Sequence, residues 1–140
     1  MYKRQEVDDD PEALRDASTI ALTTNGLPPW CVDGYLEALE ALPDRRTIRT
    51  FLAKRDAAPL ASSALMSAGG VAGLFNVGTL PDARRTGLGR LVSIAAMAAG
   101  RDAGYRVGVL QASEIGTSVY QAMGFEERAM FTFAVRVPAG

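Results

Sequence analysis

The spacing of apolar residues changes along the chain from a helical period to a strand-like one. In the first third, apolar side chains recur every three or four residues over 11–24 and 30–42, which predicts two amphipathic helices. Asp10 is a typical N-cap for the first of them, and Asn25-Gly26 ends it. The pattern of residues 1–7 predicts a short strand before the two helices.

The second third of the chain reads as three consecutive strands. The apolar, β-prone runs are residues 47–54, 60–67 and 71–80. Residues 55–59 form the first turn, and Gly69-Gly70 is a tight hairpin signal before the third run. Short turns between consecutive strands predict an antiparallel meander. In the helices before it, Trp30 and Tyr35 are predicted to belong to the core.

The last part of the chain predicts a β-α-β unit. Apolar residues return to helical spacing after the third run, at Leu88, Leu91, Val92, Ala95 and Ala99. Gly104 ends this helix, and residues 106–111 form a short strand. A right-handed crossover would place that strand parallel to the run 71–80.

A short helix and one or two strands complete the predicted order. Ile115, Val119 and Met123 mark the core-facing line of the helix, which Gly124 closes. Residues 125–128 and 130–137 supply the final strands. The sequence therefore predicts an α+β fold with a mixed sheet, in which the meander is followed by the crossover.

Composition narrows the chemistry that this fold can carry. The 140 residues suit one domain, with 48% hydrophobic and 22% charged residues. A net charge of −1 gives no general attraction to nucleic acid. The chain has no histidine and one cysteine, Cys31, which excludes Ser-His and Cys-His catalysis and most transition-metal sites. No apolar run reaches membrane length and the first residues are charged, so we expect a cytoplasmic protein.

The segment 79–90 has the composition of an anion site. A strand leads into a glycine-rich turn and a helix start, where backbone N–H groups have no intrahelical partner. Gly87 and Gly89 carry no Cβ, so a phosphate can approach the main chain closely. Three arginines add positive charge to this turn: Arg84, Arg85 and Arg90. We interpret the segment as a pyrophosphate cradle.

Two common phosphate motifs do not match this segment. The dinucleotide fingerprint needs a third small residue where this chain has Val92. The P-loop needs a Gly-Lys pair, and the only lysines, Lys3 and Lys54, follow no glycine.

The spacing Arg84-x-x-Gly87-x-Gly89 instead resembles the acetyl-coenzyme A (acetyl-CoA) loop of the GNAT superfamily of N-acetyltransferases. A second stretch, Val119-Tyr120-x-x-x-Gly124-Phe125, resembles the L-Y-x-x-x-G-F signature of the same superfamily. The two motifs stand in the family's order, with one helix and one strand between them. The resemblance covers roughly residue 47 to the C-terminus.

The resemblance implies a GNAT-like fold with a central sheet splayed open beside the strand 71–80 and helices on both faces. Acetyl-CoA is then the acyl donor. Its pantetheine arm would pair with the main chain of that strand, and its pyrophosphate would sit on the amides after it. The implied contacts are Val77, Gly78, Thr79, Arg84, Arg85, Thr86, Gly87, Leu88, Gly89, Arg90 and Ser113, the last standing where the family often has asparagine.

Tyr120 is the candidate catalytic residue. It lies about 100° round the short helix from Val119, and Gly116 sits one turn below it. In the family, a tyrosine here protonates or hydrogen-bonds the departing thiolate. With ordinary pKa values of about 10 for tyrosine and about 8.5 for a thiol, full proton transfer is uphill by about 2 kcal/mol. Partial transfer or hydrogen bonding is therefore favoured, and the alternative is a surface tyrosine that closes the core.

The general base cannot be assigned from the residues. The strand 106–111 offers only Gly108 near the position where family members often have glutamate, and Glu114 can be explained as a helix-start carboxylate. Asn76 and Thr79 could position water. A water chain, or an amine that arrives neutral, would suffice.

The sequence thus predicts a single GNAT-like domain over residues 1–140, with an acceptor-side part at 1–46 and an acetyl-CoA-binding core at 47–140. The predicted reaction moves an acetyl group to a primary amine of a small molecule or peptide by direct attack in a ternary complex. A non-catalytic acyl-CoA-binding module, or one half of a tandem GNAT protein, is the alternative. A homodimer is consistent with the family resemblance, and no metal or nucleic acid is expected.

Overall fold

The computed structural model describes residues 2–134 and 136. Its elements, in chain order, are β1 (Tyr2–Glu6), α1 (Pro11–Thr24), α2 (Cys31–Glu40), β2 (Ile48–Arg55), β3 (Ala58–Ala68), β4 (Val71–Thr79), α3 (Leu88–Asp102), β5 (Gly108–Leu110) and α4 (Thr117–Ala122). None of these helices has the length and apolar character that a membrane crossing needs.

The strands form one five-stranded sheet in the order β1-β2-β3-β4-β5. Neighbours from β1 to β4 are antiparallel, and β5 runs parallel to β4. The predicted meander, crossover and α+β class are therefore confirmed, as is the short first strand. The predicted strand 106–111 is shortened to three residues.

Helices cover both faces of the sheet. Successive side chains of β2 point to opposite faces, so each face carries apolar residues on which a helix packs. Leu52 packs in a cluster with Val7 and the α1 residues Ala13, Ala17 and Ile20. Phe51 packs on the other face with Leu65, Leu74 and the α3 residue Ala96. Asp10 caps α1 as predicted, accepting a hydrogen bond from the Ala13 amide at 3.0 Å.

The first β-turn is tighter than predicted. Arg55, Ala58 and Pro59 are strand residues, and only Asp56 and Ala57 turn the chain. Both have positive φ, 50° and 69°, as the two central residues of a type I′ hairpin require. Gly69 and Gly70 also have positive φ and form the predicted second hairpin.

The prediction for Trp30 was wrong: its side chain is 78% exposed. Trp30 is the N-cap residue of α2, whereas the spacing of apolar residues predicted a helix that begins at Trp30 itself. Its ring therefore does not share the buried face of Val32 and Leu39.

The predictions for the C-terminal part also need correction. Ile115 is 92% exposed because it precedes α4, and Val119 is 40% exposed. No residue of α4 is fully buried; the half-buried Tyr120 is the one that packs against the cluster around Leu74 and Ala96. Residues 125–134 form no strand with the sheet, where β5 offers a partner only three residues long. Val137, the predicted end of the last strand, lies outside the described residues.

Gly78 sets how closely α1 approaches β4. A Cβ at this position would lie 2.2 Å from Thr24 Oγ1 and 3.0 Å from the Ile20 carbonyl oxygen. We expect Gly78→Ala to lower the free energy of unfolding by about 1–3 kcal/mol, as overpacking does. Gly34→Ala is the control, because nothing lies within 4 Å of a Cβ in that exposed helix position. It should raise stability by about 0.5–1 kcal/mol, and thermal melts in which Gly78→Ala matches it would contradict the packing argument.

Candidate active site

An opening forms where β4 leaves β5. The two strands pair only from Ala72 to Leu74, and Asn76 then takes a left-handed conformation with φ 50°. The pairing of β4 with β3 shifts register at the same place, between Ser62 and Ala64. This is a β-bulge, which bends a strand and re-aims the residues beyond it. The sheet is therefore splayed beside the end of β4, as predicted.

The main chain of β4 faces this opening at Val77 and Thr79. The Leu80 amide donates to the Leu60 carbonyl on β3 at 2.9 Å, so by alternation the main-chain groups of Val77 and Thr79 point away from β3. The Val77 carbonyl accepts from Asn25 Nδ2 at 3.1 Å. The Thr79 carbonyl accepts from Arg84 Nε at 3.2 Å.

Gly78 and Ser113 have structural contacts of their own. Gly78 pairs with Ser62 of β3 and lies under α1. The Ser113 hydroxyl accepts from the Gly116 amide at 3.3 Å and so supports the turn before α4. Their assignment as cofactor contacts stays a prediction.

A run of backbone amides lies free at the start of α3. In the part of the chain that the structure describes, the amides of residues 85–90 donate to no protein acceptor, and the first to do so, that of Leu91, bonds the Gly87 carbonyl at 2.9 Å. Arg85 and Gly87 have positive φ, 61° and 83°. Left-handed residues among right-handed ones turn consecutive N–H groups into one concave surface, which attracts anions.

Positive side chains surround these amides. Arg84, Arg85 and Arg90 are exposed, and no ion pair involving them occurs among the described residues. Thr86 donates its hydroxyl to the Ala83 carbonyl, and Leu88 is buried in the core. These two residues anchor the loop and offer only their amides to a ligand.

The main chain at the helix start can be approached closely from outside. A Cβ at Gly87 would meet nothing within 4 Å, although its φ of 83° favours glycine. A Cβ at Gly89 would lie 3.4 Å from Thr79 Oγ1, on the side of β4. Free amides, three arginines and an open approach together suit the pyrophosphate of a nucleotide cofactor.

Tyr120 stands close to the same helix start. Its ring meets Phe125 edge to face, with centroids 6.3 Å apart, and a Cβ at Gly116 would lie 3.3 Å from its Cε2. Gly116 therefore lies under the ring, as predicted. Burial raises the pKa of Tyr120, and the nearby Ser93 hydroxyl opposes this shift. Ser93 in turn donates to the Gly89 carbonyl at 2.7 Å, so the two sequence motifs meet on α3.

Two polar contacts were missed by the sequence interpretation. Asn25, read only as a helix end, ties the α1–α2 loop to Val77. Tyr35, read as core, is half-buried and accepts a hydrogen bond from Asn76 Nδ2 at 3.3 Å. Each joins residues more than forty positions apart in the chain, and no local pattern signals such a pair.

The sequence profile of the acetyltransferase (GNAT) domain matches residues 3–111. The chain belongs to the GNAT acetyltransferase family. It is therefore an acyltransferase, and acetyl-CoA is its co-substrate. No curated protein matches the chain.

Solved structures agree with the GNAT fold. The aminoglycoside N-acetyltransferase AAC(6')-Iy, in complex with a bisubstrate analogue, has a TM-score of 0.77 and 19% identity, over 98% of this chain and 99% of that one. The ribosomal-protein-S18-alanine N-acetyltransferase of Escherichia coli has a TM-score of 0.74 and 19% identity, over 92% and 80%. An acetyltransferase of Clostridium acetobutylicum with acetyl-CoA has a TM-score of 0.71 and 16% identity, over 96% of both chains. At these identities the likeness concerns the fold.

Proposed function

We propose that this GNAT protein transfers the acetyl group of acetyl-CoA to a primary amine by direct attack within a ternary complex. The observation that carries the proposal is the run of free amides at residues 85–90, at the start of the helix α3, whose Ala96 lies in the cluster against which Tyr120 packs. The free amides then bind the pyrophosphate end of acetyl-CoA, and Tyr120 acts at its thioester end. The acceptor is a small molecule or a peptide.

The loop and β4 together hold the donor. The amides of residues 85–90 and the three arginines bind the pyrophosphate, and the main chain of Val77–Thr79, with Ser113, borders the pantetheine arm. Hydrogen bonds to charged groups contribute about 1.5–3 kcal/mol each. A handful of them supports micromolar binding after the entropy costs of association.

Tyr120 assists departure of the thiolate by hydrogen bonding. Because burial raises the pKa of Tyr120 above its ordinary value, the phenol keeps its proton at neutral pH. Full transfer to a thiolate, whose ordinary pKa is about 8.5, is then still less favourable than it would be for an exposed tyrosine. The phenol therefore stabilises the developing negative charge without becoming a free phenolate.

The acceptor side is formed by residues 1–46. The hydrogen bond from Asn25 to Val77 holds the α1–α2 loop against the end of β4, so an amine that enters beside this loop reaches the strand that borders the thioester. Water bound by Asn76 or Thr79, or an amine that arrives neutral, accounts for the acceptor's proton without a carboxylate base.

The family resemblance supports assembly into a homodimer. We propose a cytoplasmic homodimer. Analytical ultracentrifugation tests the assembly, and a monomer across the micromolar range would overturn it.

Release of free coenzyme A thiol tests the reaction. The protein is incubated with acetyl-CoA and a panel of aminoglycosides, amino sugars and peptides with free N-termini. We expect thiol release that depends on both protein and amine for at least one class. Binding of acetyl-CoA without turnover across the whole panel would instead favour a non-catalytic acyl-CoA-binding module.

A further inference from the structure

A small cavity lies beneath the bulge of β4, on the face of the sheet that α1 covers. Its volume is about 10 Å³, which corresponds to one water molecule. Its polar lining is Ser18, Tyr35, Thr50, Ser62, Ser63 and Asn76. The cavity is separate from the free amides of α3, and of its lining residues the reaction proposed above names only Asn76.

Two hydroxyl groups in this lining, Thr50 Oγ1 and Ser62 Oγ, have no hydrogen-bond partner of normal geometry among the described residues. The Asp8 carboxylate, which accepts from the Thr50 amide at 2.8 Å, lies close to the first of them. Thr50 and Ser62 are only 4% and 1% exposed. A buried hydroxyl without a partner is destabilising, and native proteins usually pair such groups with protein or water. Two of them beside one water-sized space are the arrangement that a bound water satisfies.

The neighbouring groups can complete the coordination of a water. Tyr35 accepts from Asn76 Nδ2 at 3.3 Å, and burial raises the pKa of its phenol, so the phenol stays neutral and its own proton is available to a second acceptor. Ser18 donates to the Leu14 carbonyl at 2.7 Å and retains accepting capacity. A water here therefore has two to four polar partners.

We propose that the cavity binds one structural water, held by Thr50 and Ser62, and that this water and Tyr35 fix Asn76 in the bulge of β4. Tyr35 and the two hydroxyl residues are thus positioning residues. The role of the bulge in donor binding rests on the proposed function, because the bulge sets where Val77 and Thr79 face the opening.

Whether Ser62→Ala lowers or raises Tm tests for the bound water. Ser62→Ala removes one of its partners, and Ser63→Ala is the matched control. Ser63 also borders the cavity and is equally buried on the same strand, but its hydroxyl is already paired, because it donates to the Val92 carbonyl of α3 at 2.8 Å. We expect both variants to lower Tm by a few degrees, and Thr50→Val to do the same. A dry cavity would reverse the result for Ser62→Ala, because loss of an unpaired hydroxyl leaves Tm unchanged or raises it.

A crystal structure at high resolution gives the direct readout. We expect a density peak within hydrogen-bond distance of Thr50 Oγ1 and Ser62 Oγ in the wild type, and none in Ser62→Ala with Thr50→Val combined. An empty cavity in the wild type would overturn the water site.

Donor affinity tests the positioning role. We expect Tyr35→Phe to raise the Kd for acetyl-CoA about three- to ten-fold, because the bulge loses the group that holds Asn76. Tyr105→Phe, a half-buried tyrosine beyond α3, is the control and should bind normally. Unchanged affinity in Tyr35→Phe would overturn the positioning role. A wild type that does not bind acetyl-CoA would overturn the proposed function, whereas the stability and density measurements test the water independently.

Discussion

Replacing Gly89 by glutamate is expected to abolish the stabilisation that acetyl-CoA gives the wild-type protein. A ligand at about 100 times its Kd adds about 2.7 kcal/mol, which shifts Tm by several degrees in a domain of this size. The glutamate places a negative charge among the free amides of residues 85–90. Its Cβ would contact Thr79 Oγ1 at 3.4 Å, so the rest of the side chain has to project into the opening. A thermal-shift titration of both proteins measures the effect.

Two control variants separate the effects of added bulk and added charge at position 89 from a loss of the fold. Gly89→Ala adds only the tolerated Cβ and should retain most of the shift. Ala38→Glu adds the same charge at an exposed position of α2 and should bind like the wild type. If Gly89→Glu keeps the full shift, the pyrophosphate does not sit on this loop.

Local sequence rules predicted most elements of the fold. The capped start of α1, the paired glycines before β4 and the glycines before α3 each act within a few residues, so the sequence alone reveals them. The free amides at the helix start and the neighbouring arginines also belong to one short segment, and their role as an anion site stays a prediction. Family resemblance added the splayed sheet and the acyl donor.

The errors occur where a side chain's environment is set by distant parts of the chain. The spacing of Ile115 and Val119 is helical, yet both are exposed, and the half-buried Tyr120 packs against the core instead. Trp30 is large and apolar but lies at a helix start outside the buried face. Asn76 shows the same limit, since its bulge depends on the register between β3 and β4.

Glycine at position 78 illustrates how one residue can serve two purposes. It stands in the strand that the family resemblance assigns to the cofactor, and the structure places the C-terminal turn of α1 against it. A loss of donor binding in Gly78→Ala would therefore mix two causes. The main chain of Val77 and Thr79 gives the cleaner test, through variants that act on it from outside the strand. Asn25→Ala, which frees the Val77 carbonyl, is one such variant.

Tyr120→Phe is expected to lower kcat by about 10²- to 10⁴-fold, the range for loss of a positioned proton donor, with little change in the Kd for acetyl-CoA. Only the hydroxyl is removed, so the ring keeps its edge-to-face contact with Phe125. The proposed pyrophosphate contacts lie elsewhere, on the loop before α3. Steady-state kinetics with a turned-over amine, together with a thermal-shift Kd, separate the two effects. A normal kcat in Tyr120→Phe would show that Tyr120 only closes the core and takes no part in the reaction.

The pH dependence of kcat distinguishes a proton donor from a packing residue. Burial raises the pKa of Tyr120, so the donating, protonated form persists from neutral pH to above the ordinary value of about 10. The tyrosine's contribution is therefore fully present below that value and is lost only as the pH rises through the raised pKa. We expect the wild type to show this alkaline loss of kcat and Tyr120→Phe to lack it. If both proteins show the same alkaline loss, it arises from another group, and Tyr120 takes no part in the proton's transfer.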